Sequence, residues 1–148
     1  MRPGWDSYFI ELAHTVAKRS TCDRASVGCI LVKDKQIIST GYNGSISGHD
    51  HCDTAGHIII NDSCQRALHA EENSIASAAR RGSSVENATA YITHFPCWRC
   101  FRQLANSGIS KIIFDEWKSN KTTEEILAEI KKSKIDIRSI KEPLIKDN

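Results

Sequence analysis

The chain has 148 residues, 40% of them hydrophobic, and its 20 basic and 18 acidic residues leave a net charge of +2. This size and composition predict one domain over residues 1–148 with a sizeable core, and the near balance of charge gives no signal for nucleic-acid binding. No apolar run is long enough to span a membrane and no signal-peptide pattern is present, so we expect a cytoplasmic protein whose six cysteines are metal ligands or buried thiols.

Hydrophobic periodicity predicts helices and strands that alternate along the chain. A helix over residues 5–19 is followed by two apolar runs, 27–32 and 36–40, which predict a hairpin through Lys33-Asp34-Lys35. The remaining predicted elements are a helix over 68–81, a strand over 90–93, a helix over 96–107, a strand over 111–114, a helix over 122–134 capped by Thr123, and a strand over 136–140. We therefore predict an α/β fold in which helices cover both faces of a mixed five-stranded sheet, with a frayed charged tail over 141–148.

Two short motifs, His69-Ala70-Glu71 and Pro96-Cys97-Trp98-Arg99-Cys100, supply a histidine and two cysteines with metal-ligand spacing. Structural zinc is usually closed by four protein ligands, whereas three ligands leave a position for water. Pro96 suits the first position of a helix, in which Cys97 and Cys100 share one face. We therefore predict a catalytic zinc held by His69, Cys97 and Cys100.

Glu71 lies beside this ligand set, where a carboxylate can carry protons without binding the metal. We predict that Glu71 is the catalytic acid and base, and that the backbone N–H of Ala70, in the first turn of a helix, binds a substrate carbonyl group. The alternative is a zinc knuckle in which Glu71 is only a solvated helix residue.

Residues 41–65 show little periodicity and are rich in glycine, histidine and cysteine. A long irregular segment inside a compact domain is usually functional or held by cross-links. Cys52, His57 and Cys64, with Cys22 from the loop after the first helix, could form a closed structural zinc site. His49 or His51 could take the place of His57, and the alternative is a set of free thiols with exposed histidines. Cys29 lies inside an apolar strand and is expected to be a core residue.

Four segments resemble deoxycytidylate deaminases, particularly the phage and Gram-positive type, within the wider cytidine-deaminase-like fold. The segments are Ser20-Thr21-Cys22-Asp23-Arg24-Ala25, Gly41-Tyr42-Asn43-Gly44, His69-Ala70-Glu71-Glu72-Asn73 and Thr93-His94-Phe95-Pro96-Cys97. H-x-E combined with P-C-x-x-C is the signature of zinc-dependent nucleobase deaminases. The resemblance covers residues 5–114 and differs from the family pattern at Glu72 and Ser74 and at Trp98 and Arg99.

The resemblance implies a three-layer α/β/α fold and the hydrolysis of dCMP to dUMP and ammonia, which feeds thymidylate synthesis. It also implies a homohexamer that dCTP activates and dTTP inhibits, with Mg²⁺ bound to the triphosphate. The positions of Cys22, Cys52, His57 and Cys64 match the second zinc site of the phage and Gram-positive subgroup.

Several residues receive substrate or effector roles from the resemblance. Asn43 is expected to hold the sugar, Phe95 to pack on the base and Thr93 to contact the substrate. Arg24 is our candidate for the 5′-phosphate, because a guanidinium binds phosphate oxygens bidentately, although a surface salt bridge is the alternative. The candidate effector residues are Tyr42, Gly44, Ser45 and Arg80, with Arg81 beside it; helix-terminal cations are the alternative for the two arginines.

Other zinc deaminases share the catalytic motif. A cytidine, guanine or tRNA-adenosine deaminase is possible, whereas the riboflavin-pathway enzymes separate the two cysteines by a longer insert than the two residues here. A non-enzymatic, zinc-stabilised binding module is the remaining alternative. Retention of Glu71 argues against it, because a scaffold does not need that carboxylate.

Overall fold

The computed structural model describes residues 1–117 and 122–141. Its helices are α1 (Trp5–Ala17), α2 (Cys52–Ala55), α3 (Ala70–Arg80), α4 (Trp98–Asn106) and α5 (Glu124–Lys132). Its strands are β1 (Gly28–Lys33), β2 (Gln36–Tyr42), β3 (Gly44–Ser45), β4 (Ile59–Ile60), β5 (Ser63–Cys64), β6 (Ala67–Leu68), β7 (Thr89–His94), β8 (Lys111–Glu116) and β9 (Asp136–Ser139). The predicted frayed tail lies, apart from Lys141, outside the described residues.

A five-stranded sheet has the strand order β2-β1-β7-β8-β9. Strand β1 pairs antiparallel with β2 and β7, whereas β7, β8 and β9 run parallel. The mixed five-stranded sheet predicted from the sequence is therefore confirmed. The parallel strands bring the segments that follow β7 and β8 to the same edge of the sheet.

Alternate residues of β1 pack on opposite faces of this sheet. Ile30 and Val32 contact the side that α1 covers with Phe9 and Ala13. Cys29 belongs to the other cluster, which is formed from α3, α4 and α5 and from the sheet residues that face them. Helices thus cover both faces, as predicted, and Cys29 is a fully buried core residue.

Two glycines let helices approach the sheet closely. A Cβ atom on Gly28 would overlap the carbonyl oxygen of Ala13 in α1, and one on Gly41 would overlap the carbonyl oxygen of Ala70 in α3. Ser39 also donates a 2.6 Å hydrogen bond to the Ser74 carbonyl oxygen. The first turns of α3, which carry Glu71, are therefore held directly against β2.

Each of the four predicted helices is shorter than expected by one or two residues at one or both ends, and two of these differences fall at the predicted metal-binding motifs. Helix α3 begins at Ala70 rather than at residue 68, and α4 begins at Trp98, so Pro96 lies outside the helix. His69 and Cys97 are the N-cap residues, with extended dihedral angles of −72° and 156° and of −66° and 162°. The two ligands thus precede their helices, an arrangement that helix propensity alone does not reveal. Thr123 caps α5 as predicted, accepting a 3.2 Å hydrogen bond from the Ile126 amide.

Within residues 1–117 and 122–141, no helix combines the length and apolarity that a membrane crossing requires.

Candidate active site and metal centres

The structure brings His69, Cys97 and Cys100 together at the starts of α3 and α4. The Nδ1 atom of His69 lies 3.5 Å from Cys97 Sγ and 3.3 Å from Cys100 Sγ. In a tetrahedral site with zinc bonds of about 2.3 Å to sulfur and about 2.0 Å to nitrogen, such atoms are roughly 3.5 Å apart. The three donors therefore fit zinc in both chemistry and spacing.

The pKa values of the two cysteine thiols are shifted in opposite directions. The hydrogen bond from Cys100, followed by that from His69, lowers the pKa of the Cys97 thiol to about 3. The reciprocal hydrogen bond, followed by burial, raises the pKa of the Cys100 thiol. The thiols and the imidazole thus share protons at the point where a cation would replace them.

Glu71 is the second residue of α3 and its side chain is almost fully buried, with 4% of the residue exposed. Burial raises the pKa of its carboxyl group above the ordinary value. Ser74, one turn along α3, donates a 2.8 Å hydrogen bond to the Glu71 carbonyl oxygen. Glu71 therefore places a buried carboxyl group, with a pKa that favours the protonated form, next to the candidate metal donors His69, Cys97 and Cys100.

Two predicted substrate residues are already bonded to protein groups. Asn43 is buried; its Oδ1 accepts a hydrogen bond from the Val27 amide at 2.9 Å and its Nδ2 donates one to the Ala25 carbonyl oxygen at 2.7 Å. Thr93 is fully buried, and its Oγ1 accepts a hydrogen bond from the Gly28 amide at 3.1 Å. The two side chains fix the segment that leads from Arg24 into β1.

Phe95 lies directly after β7, but only 6% of it is exposed. Its ring stacks on Trp117 at 4.8 Å between centroids, and Phe114 meets its edge at 5.1 Å. Trp117 is 58% exposed and was not identified from the sequence, because the predicted strand ended at residue 114. The exposed aromatic surface at this sheet edge is therefore that of Trp117.

The remaining candidate substrate and effector residues are spread over a larger surface. Arg24 is exposed, and Ala70 is fully buried in the first turn of α3. Tyr42 is held near the start of α3 by a 2.8 Å hydrogen bond from Asn73 to its carbonyl oxygen. Arg80 ends the same helix seven residues later, about 10 Å along the axis. Gly44 and Ser45 form β3, next to Tyr42, whereas Arg81 follows Arg80 as the C-cap.

Cys52, His57 and Cys64 form a second candidate metal site. The two sulfur atoms are 3.7 Å apart, and His57 Nδ1 lies 3.3 Å from Cys64 Sγ. Although burial raises it, hydrogen bonds from the backbone amides of Ala67, Arg66 and Ile58 and from His57 lower the pKa of the Cys64 thiol to about 6. Two sulfurs on zinc are separated by about 3.8 Å, so these donors also fit zinc.

Asp23 completes this second cluster in a way that the sequence did not reveal. Its Oδ1 lies 2.6 Å from His57 Nε2, on the side of the ring opposite Cys64. A carboxylate that binds the outer nitrogen of a metal-ligating histidine orients the ring. Cys22, the fourth predicted ligand, does not join Cys52 and Cys64 in one group of described residues; its donor atom lies within 4.8 Å of those of Asp23 and His57. His49 is exposed and His51 is the N-cap of α2; in the described part of the chain neither joins a ligand group, so the geometry favours His57.

Comparison with known proteins gives consistent matches. Residues 3–116 match the family described as the cytidine and deoxycytidylate deaminase zinc-binding region. The chain is 39% identical over 126 residues to ComE operon protein 2 of Bacillus subtilis, and the alignment covers 84% of this chain and 67% of that protein. It is 37% identical over 144 residues to the deoxycytidylate deaminase of Saccharomyces cerevisiae, covering 93% of this chain and 45% of the yeast protein.

The fold also matches a solved structure with bound nucleotides. The dCMP deaminase of cyanophage S-TIM5, crystallised with dCMP and dUMP, is 25% identical and superposes with a TM-score of 0.78. The match covers 95% of this chain and 99% of the phage chain. This similarity confirms the fold that the sequence predicted.

Proposed function

We propose that this chain, which belongs to the cytidine and deoxycytidylate deaminase family, hydrolyses dCMP to dUMP and ammonia in a zinc-dependent reaction. The observation that carries the proposal is the buried carboxyl group of Glu71 beside the three converging donors of His69, Cys97 and Cys100. The named relatives support the choice of dCMP among the possible substrates.

In the proposed mechanism, His69, Cys97 and Cys100 would hold the catalytic zinc. A zinc ion there would supply a water activated as a nucleophile near neutral pH. Glu71 accepts the proton that the attacking water loses and delivers it to N3 of the cytosine ring as C4 is attacked. Glu71 then takes the second proton from the hydroxyl group added at C4 and carries it to the amino group; the C4–N bond breaks, ammonia leaves and the C4 carbonyl of dUMP forms. The raised pKa of the Glu71 carboxyl suits it to holding a proton between these steps.

The substrate contacts remain proposals that rest on position and on the family resemblance. Ala70 offers a backbone N–H at the start of α3 for the ring carbonyl oxygen. Arg24 offers an exposed guanidinium for the 5′-phosphate. Asn43 retains one amide hydrogen for the sugar beside its bonds to the protein. Phe95 and Thr93 lie mostly inside the fold, so their contribution is to shape the pocket wall.

We also propose a second, structural zinc held by Cys22, Cys52, His57 and Cys64, which gives two zinc ions per chain. The hydrogen bonds that lower the pKa of the Cys64 thiol support a metal-bound thiolate at this position. Removing a ligand of this site is expected to lower stability, since the site joins segments far apart in the chain.

Regulation and assembly are proposed by analogy with the family. The protein is a cytoplasmic homohexamer that dCTP activates and dTTP inhibits, with Mg²⁺ on the triphosphate near Tyr42, Gly44, Ser45 and Arg80. Within one chain, Arg80 lies about 10 Å along α3 from Asn73, the residue that bonds to the Tyr42 carbonyl oxygen. Kinetics that are hyperbolic and indifferent to both triphosphates, in an oligomeric preparation, would contradict this part of the proposal.

A substrate panel tests the proposed reaction directly. Ammonia release should be measured with dCMP, CMP, deoxycytidine, dCTP and tRNA, using protein of known zinc content. We expect dCMP to be preferred. A preference for deoxycytidine or tRNA would assign the site to a different deaminase class, and no reaction by the zinc-loaded protein would favour a binding module.

A further inference from the structure

Arg99 and Glu72 join the two helices that carry the catalytic metal donors. Arg99 stands between Cys97 and Cys100 on α4, and Glu72 directly follows Glu71 on α3. Arg99 donates a hydrogen bond from Nη2 to Glu72 Oε1 at 2.9 Å. The same carboxylate oxygen accepts the backbone N–H of His69 at 3.2 Å. One oxygen atom therefore bonds to both motifs.

The surroundings of the pair separate it from an ordinary surface salt bridge. The Glu72 side chain is only 18% exposed and that of Arg99 is 42% exposed. On its outer side, the contact between α3 and α4 opens into a groove lined by Ile75, Arg99, Arg102 and Asn106. The two helices share a core cluster on the sheet side, and the Arg99–Glu72 bond adds a direct polar link between their starts at the metal end.

The pair also balances charge next to the metal donors. A zinc ion bound by two thiolates and a neutral histidine has no net charge, so the carboxylates of Glu71 and Glu72 would both be uncompensated by the metal site. The carboxylate of Glu72 would add repulsion at this point if its charge were not balanced. The guanidinium of Arg99 balances it at hydrogen-bond distance.

We propose that Arg99 and Glu72 form a positioning pair that holds His69 of one helix and the cysteines of the other within reach of one zinc ion. The inference rests on the zinc of the proposed function and not on the identity of the substrate. Neither residue acts on the substrate. Residues that orient metal ligands typically change metal affinity about 10–100-fold when they are mutated.

Zinc release to an excess of a chromogenic chelator tests the pair without any substrate. The proteins compared are the wild type, Arg99→Ala, Glu72→Ala and the double variant, and the catalytic-site phase is identified by its absence in Cys97→Ser. We expect each single variant to release this zinc at least about 10-fold faster. The double variant should release it no faster than Glu72→Ala, because Arg99 has already lost its partner in that variant.

Three further variants distinguish positioning from general loss of structure. Arg102→Ala, which removes a cation lying 5.7 Å above the Trp98 ring on the same helix, is the matched control and should release zinc like the wild type. Arg99→Lys retains the charge and should restore slow release, because the bond uses a single nitrogen. Glu72→Gln retains the oxygen that accepts the His69 N–H but loses the charge, so it remains informative if Glu72→Ala does not fold.

Substitution with Co²⁺ provides a measurement of the metal geometry that does not depend on the overall stability of the protein. The visible absorption of the cobalt–thiolate site should shift in Arg99→Ala and stay unchanged in Arg102→Ala. Wild-type release rates in Arg99→Ala and Glu72→Ala, or rate increases that multiply in the double variant, would overturn the proposal. A wild-type protein that holds this zinc but leaves dCMP unchanged would refute the proposed substrate and still permit the test of the pair.

Discussion

Substitution of Gly41 by alanine tests whether the close contact between β2 and α3 positions the catalytic groups. The added Cβ would overlap the Ala70 carbonyl oxygen and lie 2.5 Å from the Ser74 amide nitrogen, whereas ordinary contact begins at 3.4 Å. Both obstacles are backbone atoms, so a side-chain rotation cannot relieve them. The start of α3 must therefore move away from the sheet by roughly 1 Å, at a cost of about 1–3 kcal/mol in the free energy of unfolding.

The same displacement should reduce catalysis, because Ala70 and Glu71 both lie in the part of α3 that moves. A misplacement of about 1 Å can lower a rate by roughly 10²-fold even when no reacting group is removed. Gly41→Ala should therefore bind dCMP but turn it over about 10²-fold more slowly than the wild type.

Gly28→Ala provides a matched control on the opposite face of the sheet. Its Cβ would overlap the Ala13 carbonyl oxygen in α1, which carries none of the catalytic donors. We expect a similar loss of stability with a much smaller loss of turnover. The assays are urea unfolding and ammonia release per catalytic zinc. Equal turnover by the two variants would refute the argument that the β2–α3 contact positions the site.

Three further predictions concern single side chains. Glu71→Gln should retain both zinc ions and lose at least about 10²-fold in turnover, which ammonia release measures, because an amide cannot carry the protons. It should also gain thermal stability, as followed by calorimetry, because the amide replaces a carboxyl group whose pKa is raised by burial. Cys64→Ser should lose one zinc and unfold at a lower temperature; elemental analysis that finds one zinc in the wild type and the same number in the variant would contradict the second site. For Asp115, burial alone would raise the pKa, but hydrogen bonds from His14 and Lys141 hold it below its usual range. This carboxylate therefore stabilises the fold above its ordinary pKa of about 3.9 and the contribution is lost as the pH falls through the lower folded value. Asp115→Asn should accordingly be less stable than the wild type at pH 7 and equally stable in strong acid, as followed by unfolding at several pH values.

The sequence predicted those features of the site that depend on short-range spacing. The two cysteines of the C-x-x-C motif and the histidine and glutamate of H-x-E are separated by too few residues to lie far apart in any compact fold. The continuous apolar run of residues 27–32 likewise predicted a strand with Cys29 in the core, and Cys29 and Ile30 are both fully buried, on opposite faces of the sheet. These signals are local, so they can be recognised in the sequence without knowledge of the tertiary structure.

Features that depend on tertiary geometry were missed. Asp23 and His57 are 34 residues apart, and only the folding of the intervening segment aligns the carboxylate with the outer ring nitrogen. The helix starts at the metal ligands were placed too early, since helix propensity does not register the extended N-cap conformation of His69 and Cys97. Trp117 was overlooked because the predicted strand ended at residue 114 and because its ring stacks on Phe95, a contact that only the tertiary structure shows.

The second cluster is linked to Asn43, a proposed substrate-binding residue, by a short series of backbone hydrogen bonds. The Asp53 amide, next to Cys52, donates to the Thr21 carbonyl oxygen at 3.1 Å, and the Thr21 amide donates to the Asn43 carbonyl oxygen at 3.3 Å. A metal at the second cluster would therefore hold the loop after α1, which contains Thr21 and Arg24, against Asn43 at the end of β2. Closing a long segment before the substrate arrives removes an entropic cost that binding would otherwise carry. The chemical groups lie on α3 and α4, outside that segment, so loss of the second metal should weaken nucleotide binding before it slows the chemical step.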